Sequence, residues 1–216
     1  FTHARVAITN LVDRRFDADD TTLLLAGHRS RLEFQNLLNI ARFQSNIAVD
    51  DYRLTYVAVQ ECLKRRPEDV ESLTILAGVT KAMNSTVERL GALERLIKLR
   101  PDAPQLILTY ATEFSAWRSS RAPGAERAPL DEPIRLLLRG VELTERKDER
   151  YVIRLAELLA SAGRPAEAAA GYAAALALRD TYEPMEESLG DDDLASLAAR
   201  NYLDAHDRSS SERLLE

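Results

Sequence analysis

The residue types that most often carry out chemistry occur in this chain, but their spacing matches no metal-binding motif. The three histidines are far apart in the sequence, and none has a neighbour at the spacing of a helical zinc motif: His3, His28 and His206. Asp17, Asp19 and Asp20 resemble the start of a calcium loop, but the central glycine and the closing glutamate of such a loop are absent. We therefore expect neither a metal ion nor a cofactor.

The nucleophilic and acidic residues are also better explained by structure than by catalysis. Cys62, the single cysteine, lies beside Leu63 at an apolar helical position, which is typical of a small buried side chain. The acidic run 191–193 precedes an amphipathic stretch, where carboxylates stabilise the start of a helix. The sequence contains neither a glycine-rich phosphate loop nor a nucleophile elbow. It therefore predicts a protein that is not an enzyme.

The composition indicates an all-α protein and argues against two classes of partner. Only 8 Gly and 8 Pro occur in 216 residues, and the dominant residues are strong helix formers. The net charge is −6 with both signs interspersed, so we expect no nucleic-acid partner. No apolar run approaches the roughly 20 residues that span a bilayer. The numbering begins at Phe1, so a signal or anchor could precede it, and both a cytoplasmic and a periplasmic location stay open.

A similar hexapeptide occurs twice at a distance of 34 residues, and it indicates a repeat. Lys64–Asp69 reads KRRPED and Lys98–Ala103 reads KLRPDA, so Pro67 and Pro101 take equivalent places. Each copy ends one amphipathic stretch and begins the next. A period of this length in helix-forming sequence is typical of stacked helical hairpins.

The region 150–178 shows the hairpin pattern most fully, with two apolar faces separated by Gly163. This region resembles the tetratricopeptide repeat (TPR): Ala156 takes a small-residue position and Tyr172 the aromatic position of the second helix. The upstream repeat departs from that pattern at Asn84, in place of the turn glycine, and at Arg89, in place of a small residue. The resemblance implies a right-handed superhelical stack of antiparallel helix hairpins, a TPR-like α-solenoid.

The pattern divides the chain into three regions. Residues 1–49 are expected to form degenerate helical hairpins, 50–180 TPR-like repeats and 181–216 a capping helix with a tail. An insertion at 118–130 separates two helices of the middle repeat, since it is rich in polar residues, Pro and Gly. Trp117 precedes the insertion and is a candidate partner contact, although packing at the helix end is the favoured explanation.

The TPR resemblance implies a concave groove lined by the first helix of each repeat. Carried over position by position, the groove residues are Glu71, Thr74, Lys81, Gln105, Leu108, Thr112, Ser115, Arg150, Ile153 and Glu157. The set mixes polar and apolar side chains and lacks the basic cluster that clamps a carboxylate in chaperone-binding members. It favours a peptide or protein partner held by mixed contacts.

We therefore expect a non-catalytic scaffold or adaptor for protein–protein interaction, with self-association through the open ends of the stack as a further possibility. Two alternatives stay open. The chain is a helical regulatory or assembly domain of a larger enzyme, such as a glycosyltransferase. Or, since 56–178 resembles the periplasmic domain of bacterial cytochrome c maturation chaperones, it is a TPR domain of that kind.

Overall fold

The computed structural model describes residues 33–46, 52–121, 129–179 and 190–215, and within these ranges it is helical and has no strand. The helices are α1 (Phe34–Asn46), α2 (Arg53–Arg65), α3 (Val70–Ala82), α4 (Thr86–Leu99), α5 (Pro104–Ser119), α6 (Asp131–Leu143), α7 (Glu149–Ser161), α8 (Pro165–Arg179) and α9 (Asp191–Leu215). The all-α prediction is confirmed. The parts of the predicted regions that fall at 1–32, 47–51, 122–128 and 180–189 lie outside the described residues.

The chain consists of two compact units, Phe1–Pro101 and Asp102–Glu216. In unit 1, α1 packs on α2 and α3 packs on α4, while α2 and α1 both contact α3. The predicted boundary between residues 49 and 50 lies between α1 and α2, the two helices of this hairpin. The sequence predicts this pairing, because apolar residues such as Leu37 and Ile40 recur at helical spacing in the segment before α2.

In unit 2 each helix from α5 to α9 packs on the next, and the first helices α5 and α7 also contact each other. The predicted repeat region 50–180 is thus divided at Pro101. The sequence does not reveal this division, because the four-residue connection around Pro101 matches the one around Pro67, which lies inside unit 1.

The predicted apolar faces form the cores of both units. In unit 1 the buried side chains include Leu37, Ile40, Leu73, Leu76, Leu93 and Leu96. In unit 2 they include Ile107, Tyr110, Leu137, Val152, Leu159 and Tyr172. Ala156, Ala168 and Ala175 are fully buried, so small side chains let α7 and α8 approach closely, as the sequence predicts.

The same helix-ending turn follows α3, α6 and α7, with a residue in the left-handed region after each helix. That residue is Asn84 (φ 55°) after α3 and Gly163 (φ 76°) after α7. The next amide then donates to a carbonyl five residues back, as from Ser85 to Thr80 at 2.8 Å. Asn84 therefore keeps the conformation of the turn glycine it replaces, since asparagine tolerates this region better than most residues.

Two boundaries differ from the predictions. α5 continues through Arg118 and Ser119, so the insertion between α5 and α6 begins at residue 120 rather than 118. α9 has 25 residues and ends at Leu215, so it also covers the part of 181–216 that the sequence assigns to a tail. Its second half is polar, and the hydrophobic pattern used to place the helix end does not extend over it.

Two glycines within helices are predicted to respond oppositely to alanine. A Cβ on Gly171 of α8 would lie 2.9 Å from Cβ of Ala156, whereas a Cβ on Gly91 of α4 meets nothing within 4 Å. Gly91→Ala should therefore raise the free energy of unfolding by up to about 1 kcal/mol, from helix propensity alone. Gly171→Ala should lower it by about 1–2 kcal/mol, since overpacking outweighs that gain. Thermal unfolding followed by circular dichroism measures both, and equal shifts would contradict the close α7–α8 packing.

Candidate functional site

The predicted groove residues fall at equivalent places on three first helices. Glu71, Gln105 and Arg150 are each the second residue of their helix, in α3, α5 and α7. The register carried over from the repeat therefore agrees with the observed helix starts. α1 and α3 form the first-helix face of unit 1, and α5 and α7 form the first-helix face of unit 2.

On the first-helix face of unit 1, the predicted residues are polar and partly occupied by contacts within the unit. Arg42 of α1 forms a bidentate ion pair with Glu71, with Nη2 donating to Oε2 at 2.5 Å. Thr74 is exposed and donates to the Val70 carbonyl at 2.8 Å, and Lys81 is exposed in the last turn of α3. The sequence prediction missed Arg42, because it could not fix the register before residue 50.

On α5 of unit 2 the predicted residues range from exposed to buried. Gln105 is exposed, and Thr112 and Ser115 are half-buried. Leu108 is only 9% exposed and belongs to the core. It therefore supports the face from beneath and offers a partner little surface.

On α7 the polar residues are paired along their own helix. Asp148 caps α7 by accepting from the Arg150 backbone amide at 3.1 Å, and its carboxylate also accepts from Arg150 Nε at 3.0 Å and Nη2 at 2.7 Å. Glu157 accepts a hydrogen bond from Arg154 Nη1. Ile153, only 7% exposed, is a core residue like Leu108.

Burial alters the titration of the groups between α7 and α8. It raises the pKa of the Glu157 carboxyl, and the Arg154 guanidinium opposes this effect. Burial also raises the pKa of the Tyr172 hydroxyl to about 12, with the negative charge of Glu157 adding to the shift. The sequence prediction included Glu157 but missed Arg154, which the three-residue spacing of opposite charges on one helix could have indicated.

Trp117 packs at the end of α5, where its indole is half-buried. Its ring centroid lies 5.6 Å from that of Phe114, and the Arg121 guanidinium carbon lies 5.1 Å from the centroid of the indole ring. These contacts hold the side chain beside the insertion. A contact between Trp117 and a partner stays a prediction.

The residues considered for chemistry do not form a reactive group in the described part of the chain. There, no three His, Cys, Asp or Glu side chains lie close enough together to hold a metal ion. Cys62 is fully buried, as expected for a core residue, and burial raises its pKa to about 11. None of the described helices has both the length and the apolar character needed to cross a bilayer.

Comparison with known proteins identifies a fold but no family. No protein-family model and no curated protein matches the chain. One solved structure of MamA matches with a TM-score of 0.55 and 13% identity, covering 88% of this chain and 100% of that chain. Another MamA structure gives 0.52 and 12%, covering 74% and 87%. A thermophilic TPR protein of Thermus thermophilus, TTC0263, gives 0.43 and 20%, covering 93% and 96%.

At these identities the likeness shows the fold and nothing about the activity. The chain has a TPR-like fold of repeated helical hairpins, which confirms the fold predicted from the sequence. Proteins built from such hairpins present extended surfaces formed by side chains from successive repeats.

Proposed function

We propose that this chain is a non-catalytic interaction scaffold whose first-helix faces bind a peptide or a helix of a partner protein. The observation that supports this proposal is that the predicted groove residues occupy equivalent positions on successive first helices. In unit 2, α5 and α7 lie against each other and place polar side chains at equivalent positions, over buried Leu108 and Ile153. A rigid surface with accessible hydrogen-bonding groups is suited to hold an ordered segment of another protein.

The accessible side chains on this face supply neutral hydrogen-bonding groups together with one positive and one negative charge. Gln105 supplies an amide donor and acceptor, and Thr112 and Ser115 supply hydroxyl groups. Nε and Nη2 of Arg150 donate to the Asp148 carboxylate, so a partner carboxylate would accept a hydrogen bond from Nη1. The half-buried Glu157 supplies the opposite charge two turns further along α7. A partner with a mixed polar sequence fits this face better than one with a single charge.

Catalysis forms no part of the proposal. A cysteine nucleophile reacts as the thiolate, and a buried thiol with a pKa of about 11 is almost entirely protonated near neutral pH. Glu157 and Tyr172 are titratable groups with raised pKa values, but both are involved in the packing of α7 on α8. Shifts of this kind arise in structural clusters as well as in active sites.

The double variant Gln105→Ala/Arg150→Glu tests the first-helix face of unit 2. We expect it to weaken partner binding by at least about tenfold, since it removes an amide and reverses a charge on the first turns of the two helices that form the proposed contact. The fold should persist, because residue 150 lies in the first turn of α7, where a carboxylate interacts favourably with the helix dipole. Affinity capture with the whole chain, mass spectrometry of the bound proteins and titration of the recovered partner give the measurement.

Arg135→Glu is the matched control, because it reverses a charge on α6 in an exposed pair with Glu132. It should leave partner binding unchanged. If both variants recover the partner as well as the unmodified chain does, the first-helix face of unit 2 is not the binding site.

A further inference from the structure

The outer side of the α8–α9 pair is an apolar surface that the proposed function leaves unused. A groove of about 870 Å³ lies between these two helices. Its lining includes Ala166, Ala169, Ala170 and Ala173 on α8 with Tyr202 and Leu203 on α9. Tyr202 is 59% exposed and Leu203 61%. Large apolar side chains rarely lie together on a surface that remains in water, so this region is a candidate contact surface.

The exposed side of α9 forms a continuous stripe centred on Ala199. Counted from this residue, the stripe contains the positions three, four and seven residues away in both directions, which share one side of a helix. Its members are Asp192, Ala195, Ser196, Ala199, Tyr202, Leu203 and His206, and all seven are exposed. Leu194 and Asn201 lie on the inner side of α9 and are buried.

The two halves of this stripe are complementary in size and in their hydrogen-bonding groups. The half before Ala199 carries the small residues Ala195 and Ser196 and ends at the carboxylate of Asp192. The half after it carries Tyr202 and Leu203 and ends at the imidazole of His206. The rings of Tyr202 and His206 stack with their centroids 5.1 Å apart, which gives the large half a defined shape.

We propose that the α9 stripe binds the same stripe of a second copy of this chain, with the two α9 helices antiparallel about a two-fold axis at Ala199. This arrangement places Tyr202 against Ser196, Leu203 against Ala195 and His206 against Asp192 of the other copy. Large side chains thereby meet small ones, and each imidazole meets a carboxylate that accepts its hydrogen bond. Such a self-complementary surface is what a two-fold dimer requires.

The neighbouring helix is suited to this contact. Between Glu167 and Arg179, α8 has eleven residues without a charge, and its exposed residues there include Ala170, Ala173, Ala174 and Ala177. Short side chains on α8 leave room beside α9 for the Tyr202 and Leu203 of a second copy. The proposal concerns the α8–α9 surface alone and does not depend on the first-helix faces.

Sedimentation velocity of the whole chain over a range of concentrations tests the dimer. The unmodified chain is expected to show a reversible monomer–dimer equilibrium. Leu203→Glu should weaken it at least about tenfold, because it places a carboxylate in the apolar contact. Asp204→Ala, a change at the exposed residue next along the chain and on the other side of α9, should leave the equilibrium unchanged. A chain that stays monomeric at all concentrations, or a dimer indifferent to Leu203→Glu, would overturn the proposal.

A charge exchange separates self-pairing from binding of another molecule. His206→Asp should weaken the dimer by setting two carboxylates opposite each other, and Asp192→Lys/His206→Asp should restore it. The double variant can restore the dimer only if residue 192 of one copy contacts residue 206 of the other copy. Failure of the double variant to restore dimerisation, with helical content unchanged by circular dichroism, would exclude the antiparallel arrangement about Ala199.

Discussion

Replacement of Arg179 by methionine is expected to lower the free energy of unfolding of unit 2 by about 3–5 kcal/mol. Arg179 at the end of α8 donates Nε to Oε2 of Glu149 at 2.5 Å and Nη2 to Oε1 at 3.3 Å. Both side chains are only 6% exposed, so the variant leaves a buried carboxylate without its guanidinium. Trp117 is the single tryptophan and lies in unit 2, so its fluorescence during urea unfolding measures the change there.

Two further variants test whether the burial of the ion pair causes the large loss of stability in Arg179→Met. Glu149→Leu/Arg179→Met removes both charges and should recover most of the loss, because apolar residues of similar volume often replace a buried ion pair without cost. Arg164→Met removes one partner of the exposed pair with Glu167 and should change the free energy of unfolding far less than Arg179→Met, because solvent screens an exposed ion pair. A similarly small cost for Arg179→Met would contradict the buried position of the ion pair.

The helix register was predictable from the sequence because it depends on local patterns. Apolar residues at helical spacing placed α3, α5 and α7 well enough for Glu71, Gln105 and Arg150 to fall at the same position of each helix. Proline at the start of α5 and glycine after α7 helped to mark the helix ends. Such signals act within a few residues of one another.

The long-range pairs were not predictable in the same way. Arg42 pairs with Glu71 across 29 residues, and Glu149 pairs with Arg179 across 30. Charged residues make up 30% of the chain, so the sequence offers many possible pairings of opposite charge. The packing of one helix on another selects among them.

The solvent exposure of the predicted groove residues also could not be predicted from the sequence. Helical periodicity places Leu108 and Ile153 on the expected side of α5 and α7, yet both are largely buried. How much of a helix its neighbours cover depends on how closely the helices approach. In unit 2, Gly140 of α6 lies so near Tyr151 that an added Cβ would be 2.7 Å from the ring. Contacts of this closeness come from the three-dimensional arrangement.

Leu137→Ala is predicted to lower the free energy of unfolding of unit 2 by about 2–5 kcal/mol, because it opens a cavity where α6 packs on α5 and α7. Leu137 is fully buried, and α6 contacts both of those helices. The variant tests the position of α6, because the insertion interrupts the repeat pattern between α5 and α6. Urea unfolding followed through Trp117 reports the loss, since that residue lies on α5.

Leu138→Ala is the matched control, since it makes the same change at the next residue of the same helix. Leu138 is 50% exposed, so its replacement should alter the free energy of unfolding by no more than about 0.5 kcal/mol. Adjacent residues on a helix are rotated by about 100° from each other, and only one of the two can lie at the centre of the buried face. Equal losses in the two variants would mean that α6 is rotated about its axis, and the hairpin that α6 forms with α5 would then require a different register.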